Sequence, residues 1–261
     1  MPIAPLLALL AVATPVPSPA PTPTPAPPLA LQRIAVELVD ADTVWLTLVG
    51  AKAPAALPAT LVRQRLLAGT TEVPLAASEP PSAEGGLTRV RIKVSLPQIP
   101  EVFLSLDPHR VPLRWEGLGA DGKPTLVMEG TPDLGDPGEV DLPVRQIYDT
   151  YCRLDDLRVT PGFTGVALHA LLNLYNPFSF DVVVTRVTYR VMVEGAEIMA
   201  GERPGLRLRA SHRSDVLVEQ EVGFGAVTGS LGALLRGVAP TLDATIVIRT
   251  PAGEHPIPLG F

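Results

Sequence analysis

Apolar and polar residues alternate along much of the chain, which is typical of strands with one buried and one solvated face. In residues 89–94, three cationic side chains alternate with Val, Ile and Val. Residues 186–193 place an apolar set on one face, namely Val187, Tyr189, Val191 and Val193. Residues 245–249 alternate in the same way. The pattern predicts antiparallel β-strands.

A helical pattern occurs in one short segment, residues 227–235. There the apolar residues could form a single stripe, and Gly237 would end the helix. The stripe consists of Val227, Leu231, Leu234 and Leu235. The chain also has 30 prolines and 22 glycines, which suit short strands joined by turns. We therefore predict an all-β fold with at most a short helix in each domain.

Turn residues recur at similar intervals in the two halves of the chain. In the second half they are Asn176-Pro177, Gly195 and Gly253, and in the first half Ala53-Pro54, Gly69 and Gly122. This recurrence predicts a tandem repeat of two antiparallel β-sandwiches, at residues 31–131 and 146–261. Residues 132–145 would be the linker, because the Pro- and Gly-rich stretch 131–138 cannot continue a strand.

The first 30 residues have the composition of an export signal followed by a spacer. The apolar run 6–13 is far shorter than the roughly 20 residues of a membrane-spanning helix. Ala11-Val12-Ala13 fits a signal-peptidase site, so residues 1–14 are predicted to be a signal peptide. Residues 15–30 would be a proline-rich linker, and the protein would be periplasmic or extracellular. No Lys or Arg precedes the apolar run. Two alternatives therefore remain: the protein is cytoplasmic with a disordered tail, or the start codon is misplaced.

Composition limits the possible partners. The formal net charge of -6 disfavours binding to nucleic acid, which requires a basic surface. The hydrophobic fraction of 46% is sufficient for a packed core and excludes wholesale disorder. The 18 arginines against three lysines favour a GC-rich, bacterial source and indicate no binding function.

Candidate catalytic and metal-binding residues are few and dispersed. The histidines lie in different segments and lack the spacing of a metal-binding pair: His109, His169, His212 and His255. His169 lies in an apolar segment, so it is more consistent with a structural histidine than with a metal ligand.

The acidic pairs have two interpretations. Acidic pairs occur at Asp155-Asp156 and at Glu219 with Glu221. The second pair would share a strand face, where it could bind a cation or simply form a solvated surface. The solvated surface is the simpler interpretation. Cys152, the single cysteine, is predicted to be a small buried residue without a catalytic role. With no nucleophile or phosphate-loop motif in the sequence, we predict no enzymatic activity, cofactor or metal.

Residues 166–259 resemble the WHy domain, the water-stress and hypersensitive-response domain of the folded, LEA14-like (LEA2) late-embryogenesis-abundant proteins. The resemblance comprises Asn176-Pro177 near the end of an early strand, a Tyr189 to Gly195 hairpin, a short helix and a closing strand after Gly253. In the first half, Ala53 replaces the asparagine and Arg63-Gln64-Arg65 replaces the tyrosine-bearing strand. That half would be a divergent second copy.

The resemblance implies an immunoglobulin-like or fibronectin-like sandwich and a desiccation-related, non-enzymatic protective function. Client proteins or membrane surfaces under stress would then be the partners. The alternative is an exported binding or scaffolding module for a protein, glycan or lipid, whose sheet edges would accept a partner strand. In either case Asn176 and Pro177 are expected to be structural, because proline removes a backbone donor and asparagine bonds across turns.

Overall fold

The computed structural model describes residues 27–51, 57, 61–107, 110–223, 232–233 and 236–261. The predicted signal peptide, most of the proline-rich linker, Ala53-Pro54 and His109 lie outside these ranges. Within them, no helix has the length and apolar composition needed to span a membrane.

The first unit consists of ten strands. They are β1 (Leu29–Asp40), β2 (Thr43–Gly50), β3 (Arg63–Ala68), β4 (Thr71–Val73), β5 (Leu75–Ser78), β6 (Ser82–Glu84), β7 (Leu87–Ser95), β8 (Leu113–Leu118), β9 (Pro124–Gly130) and β10 (Val140–Asp141). Two 3-10 helices, Leu96–Gln98 and Glu101–Ser105, lie between β7 and β8. The order of neighbouring strands is β4-β3-β8-β9-β1-β2-β7-β5, with β6 on β7 and β10 on β1.

Side chains of these strands enclose the first hydrophobic core. Val90, Ile92 and Val94 of β7 are all buried, as the alternation of residues 89–94 predicts. Trp115 of β8 is the largest fully buried side chain in this core. The cationic side chains of β7 lie on the opposite face, where Arg91 bonds to Glu37 and Glu79.

The second unit begins with a helix and continues with seven strands. They are α1 (Val144–Tyr151), β11 (Cys152–Pro161), β12 (Gly165–Asn176), β13 (Val182–Val193), β14 (Ala196–Leu208), β15 (His212–Gly223), β16 (Thr241–Thr250) and β17 (Gly253–Gly260). The sheet β11-β12-β15 faces the sheet β14-β13-β16-β17. Val187, Tyr189, Val191 and Val193 of β13 are buried together in a second core, as predicted. The all-β class is confirmed.

The two units share one order of strand pairing. Five antiparallel pairs of the first unit have a counterpart in the second: β1–β2 corresponds to β11–β12, β2–β7 to β12–β15, β3–β4 to β13–β14, β3–β8 to β13–β16, and β8–β9 to β16–β17. Gly69 and Gly195 both lie in the turn of the corresponding hairpins β3–β4 and β13–β14. A duplicated sandwich would have this relation between its halves.

Part of the predicted linker 132–145 packs against the first unit. Its strand β10 pairs in parallel with β1, where Ile34 N donates to Glu139 O at 2.8 Å. Val140 is 3% exposed and belongs to the first core. The prolines and glycines of this segment predict only a linker. The burial of Val140 instead makes part of it belong to the first unit.

Two helical segments differ in how well the sequence indicates them. Helix α1 is not among the sequence predictions, although Val144, Tyr148 and Tyr151 have helical spacing. In the structure, Tyr148 Oη donates to Pro258 O at 2.7 Å. The apolar stripe predicted for 227–235 lies outside the described residues. The C-terminal turn at Gly237 is described, with φ at +83° and Val238 N donating to Ala233 O at 3.0 Å.

The two units contact each other through aromatic residues beside α1. Tyr175, near the end of β12, donates from its hydroxyl to Asp42 Oδ1 at 2.6 Å, in the β1–β2 turn. Tyr151 stacks on Tyr175 with a centroid distance of 6.3 Å, and the Arg213 guanidinium lies 5.2 Å from the Tyr175 ring centroid. We call these residues, Asp42, Tyr151, Tyr175 and Arg213, the junction cluster.

Candidate functional site

Asn176 is a buried structural residue at the end of β12. Its Nδ2 donates to Phe180 O at 2.8 Å and lies 3.2 Å from both Leu208 O and Arg209 O. Its Oδ1 accepts from Phe178 N at 3.1 Å. At 2% exposure, this side chain joins the loop after Pro177 to the end of β14 and has no free group for a ligand.

Tyr189 connects the two sheets of the second unit. Its hydroxyl donates to Gln220 Oε1 at 2.7 Å, so a polar bond crosses from β13 to β15 at the margin of the core. Gly201 on β14 is required beside this pair, because a Cβ there would collide with both Tyr189 and Gln220. Gln220 is not among the predicted residues, although a polar residue on the apolar face of β15 is a detectable signal.

The first unit has a different residue at the position of Tyr189. When the hairpins β3–β4 and β13–β14 are matched by their turns, Gln64 occupies that position. Gln64 Nε2 donates to Glu79 O at 2.8 Å, and Gln64 Oε1 accepts from Trp115 Nε1 at 3.2 Å. The replacement of tyrosine by Gln64 therefore preserves a polar connection to the opposite sheet.

The two motif glycines form turns. Glu194 and Gly195 have φ of 51° and 77°, which gives the two-residue hairpin between β13 and β14 the left-handed backbone of a type I′ turn. Gly253 has a φ of 132° and follows the turn into β17. These positions favour glycine for backbone reasons, and neither requires a ligand.

His169 lies on the solvated face of the three-stranded sheet, with 42% of its side chain exposed. Its Nδ1 is 3.3 Å from Glu219 Oε1 and its Nε2 is 3.7 Å from Asp156 Oδ2. The structure therefore brings one residue from each predicted acidic pair to His169. His169 occupies the outward register of the apolar strand β12, so its ring lies beside these acidic side chains and not in the core.

His212, His255 and Cys152, which are the other histidine and cysteine candidates in the described ranges, form no common site. His212 begins β15 and is exposed, and His255 Nε2 lies 2.9 Å from Thr250 Oγ1 in the last hairpin. Burial raises the pKa of the Cys152 thiol to about 11, which makes it a poor nucleophile at neutral pH. Across the part of the chain that the structure describes, no group of three acidic, histidine or cysteine residues has metal-binding geometry.

Glu116 is the buried charge of the first unit. Arg65 Nε and Arg114 Nε donate to its two carboxylate oxygens at 2.6 and 2.7 Å. Burial raises the pKa of Glu116, but the hydrogen bonds and charges of Arg114 and Arg65 lower it by more, so the net change is downward. The pair of arginines makes Glu116 a structural charge on β8.

Each unit has a shallow groove beside an equivalent hairpin, β3–β4 in the first unit and β13–β14 in the second. The groove of about 360 Å³ in the second unit lies between β14 and β15, beside Tyr189, Pro204 and Leu217. The groove of about 340 Å³ in the first unit lies between β3–β4 and β5, beside Gln64 and Glu72. Both grooves are located where the two sheets of a sandwich separate at their edges.

The chain matches no protein-family model, and no curated protein matches it significantly. Among solved structures, a protein from Archaeoglobus fulgidus is 9% identical with a TM-score of 0.34, and the match covers 42% of this chain and 93% of that chain. A protein from Arabidopsis thaliana is 19% identical with a TM-score of 0.36, over 42% of this chain and 76% of that one.

A third solved structure is described as a late embryogenesis abundant (LEA) protein. It is 17% identical with a TM-score of 0.32, and the match covers 44% of this chain and 74% of that chain. The structural neighbours of this chain therefore include a LEA protein at low similarity. Each of these three matches covers less than half of the chain.

Proposed function

We propose that this protein is a non-enzymatic, LEA14-like stress-protective protein that limits damage to client proteins or membrane surfaces during drying, freezing or osmotic stress. The observation that carries the proposal is the role of the WHy-like motif residues. Asn176, Tyr189, Gly195 and Gly253 maintain the corners and turns of one sandwich, so each of them serves the fold itself. A protein that acts through its folded surface would have such a framework.

The character of the sheet faces supports a surface with many weak contacts. Ion pairs cover the outer faces, as at Arg91 with Glu37 and Glu79, and at Arg158 with Asp156. The exposed large apolar side chains are distributed over several strands and loops of the described chain, from Val39 in β1 to Ile257 in β17. A charged, hydrated surface of this kind suits many clients more than one apolar ligand.

The proposal includes export, with residues 1–14 as signal peptide and the predicted linker as a semi-rigid spacer as far as residue 28, since Leu29 and Ala30 of that linker belong to β1. In the cell envelope the spacer would hold the folded units away from the point where the N-terminus is attached or released. Partners in this compartment would be envelope proteins and membrane surfaces. Nucleic acid is not proposed as a partner, since the net charge is -6.

A drying assay tests the proposal. The chain from residue 15 onward is added to a labile reporter enzyme, which is then dried or freeze-thawed and assayed for recovered activity. Recovery above that with equal-mass albumin and with the heat-unfolded protein is expected, because protection would depend on the folded surface. Recovery equal to that with albumin would contradict the protective function.

A further inference from the structure

The outer edges of sheets in the second unit are not equally protected. In β17, Pro256 and Pro258 remove backbone donors, and in β14 Pro204 does the same. Strand β11 has a register irregularity between Leu154 and Asp156. These features hinder the addition of a further strand at three of the edges.

Strand β15 has none of these features. Its 12 residues, from His212 to Gly223, contain no proline and pair with β12 in one continuous register. In the described parts of the chain, no strand pairs with the other side of β15. Every second residue of β15 therefore directs its N–H and C=O groups away from β12, toward an unfilled strand position.

The first unit shows what fills the corresponding position. Strand β7 corresponds to β15 in the shared pairing order, and its outer side carries two short antiparallel strands, β5 and β6. Leu75 pairs with Val94, and Ser82 pairs with Arg89. In the second unit, the chain passes from β14 to β15 through three residues and forms no such strand.

The side chains around the β15 edge define the chemistry of an added strand. The solvated face of β15 carries three acidic residues, Asp215, Glu219 and Glu221, and Leu217 lies between Asp215 and Glu219 on the same face. The inner side of the same edge opens on the groove of about 360 Å³ beside Tyr189 and Pro204. An added strand would thus have an acidic neighbour on its outer face. On its inner face it would meet a small groove of mixed lining, in which Tyr189, Pro204 and Val218 lie beside Glu202 and Arg203.

We propose that the outer edge of β15 binds an extended peptide segment of a partner protein as an additional antiparallel strand. Basic residues at every second position would lie beside Glu219 and Glu221, with small apolar residues facing the groove. A second copy of this chain is a poorer occupant, because two β15 edges would bring acidic side chains together. The proposal does not depend on the protective function above.

A synthetic peptide with alternating valine and lysine, seven residues long, is the probe. It is titrated into the full-length chain, and binding is followed by fluorescence anisotropy and by hydrogen exchange of backbone amides. We expect saturable binding that slows exchange in 212–223 and leaves β17 unchanged. Peptides with glutamate in place of lysine, or with alternate amides N-methylated, are expected to bind about tenfold more weakly or not at all.

Variants of the chain test the position of the site. The double variant Glu219→Lys and Glu221→Lys should weaken binding about fivefold, because two exposed charge pairs become repulsive. The matched control is Asp243→Lys with Glu254→Lys, which makes the same change of charge on the opposite sheet and should bind like the parent. Thermal unfolding of both variants confirms that each is folded.

Three results would overturn the proposal. The first is equal binding of the N-methylated peptide, since strand addition requires backbone hydrogen bonds. The second is equal weakening by both double variants, which would indicate attraction by net charge alone. The third is slow exchange in 212–223 before peptide is added, which would show that another part of this chain or a second copy already occupies the edge.

Discussion

At the level of single residues, Asn176 shows why a motif residue can be essential and yet bind nothing. The asparagine amide interacts with three carbonyl oxygens that belong to Phe180, Leu208 and Arg209, and its own oxygen accepts from Phe178 N. These groups are in the buried corner where β12 ends and β14 returns. A side chain without an amide would leave several of them unpaired, at a cost of about 1–3 kcal/mol for each fully buried group.

Replacement of Asn176 tests this role. Asn176→Ala is expected to lower the free energy of unfolding by about 2–4 kcal/mol, because the buried carbonyls lose their donor. Urea unfolding followed by circular dichroism measures the change. The matched control is Asn173→Ala on the same strand, whose exposed side chain bonds only to charged surface groups, Asp215 and Arg213, and should cost under about 1 kcal/mol. Equal losses in the two variants would contradict the structural role of Asn176.

At the level of elements, the hairpin β13–β14 depends on its two turn residues. Both have positive φ, which Gly195 adopts without strain and Glu194 adopts at some cost. The turn sets the register in which Val193 pairs with Ala196, and hence the burial of the apolar face of β13. A small change in this turn therefore acts on the whole of the second core.

Two substitutions in the turn should have opposite effects on stability. Gly195→Ala is expected to destabilise by about 1 kcal/mol because of its positive φ, and Glu194→Asn to stabilise by about 0.5 kcal/mol because asparagine tolerates that backbone. Thermal unfolding measures both changes. Gly260→Ala is the control, since its added Cβ meets nothing within 4 Å and its φ is not in the left-handed range. A destabilisation by Gly260→Ala as large as that by Gly195→Ala would refute the backbone explanation.

At the level of the whole molecule, the junction cluster holds the two units together through few polar contacts. Tyr175 bonds to Asp42 across a separation of 133 residues, while the Tyr151 hydroxyl is buried without a hydrogen-bond partner. Burial, together with the charges of Asp42 and Asp40, raises the pKa of Tyr151 to about 12. Because the pKa in the folded state is above the ordinary value near 10, stability from neutral Tyr151 is present below pH 10 and lost as the pH rises toward 12.

Removal of this hydroxyl gives a prediction that depends on pH. Tyr151→Phe is expected to leave the unfolding free energy at pH 7 unchanged or slightly higher, since it removes an unpaired buried group. Its loss of stability between pH 10 and pH 12 should be smaller than that of the parent. Urea unfolding across this pH range measures both effects. Tyr148→Phe is the control, because it removes a bond to Pro258 O and should destabilise at pH 7 by about 1 kcal/mol.

Three features could be predicted from residue order alone, namely the all-β class, the inward faces of β7 and β13, and the turn at Glu194-Gly195. These features depend on residue alternation and local backbone preference, so a few neighbouring residues specify them. The equivalence of Gln64 with Tyr189 depends on the observed closing pairs of the two hairpins, because alignment of Gly69 with Gly195 alone would place Arg63 at that position. Helix α1 has a detectable apolar spacing, but its place is set by contacts with β11 and β17.

The choice of partner strands, and of the edges that no described strand covers, depends on tertiary contacts. Three contacts join residues that are distant in sequence. They are the convergence of Asp156 and Glu219 on His169, the bond of Tyr175 to Asp42, and the pairing of β10 with β1. Alternation specifies which face of a strand is buried but not which strand lies beside it. The same alternation thus occurs in β7, whose outer side carries β5 and β6, and in β15, whose outer side has no strand among the described residues. Pairing depends on the path of the chain between strands.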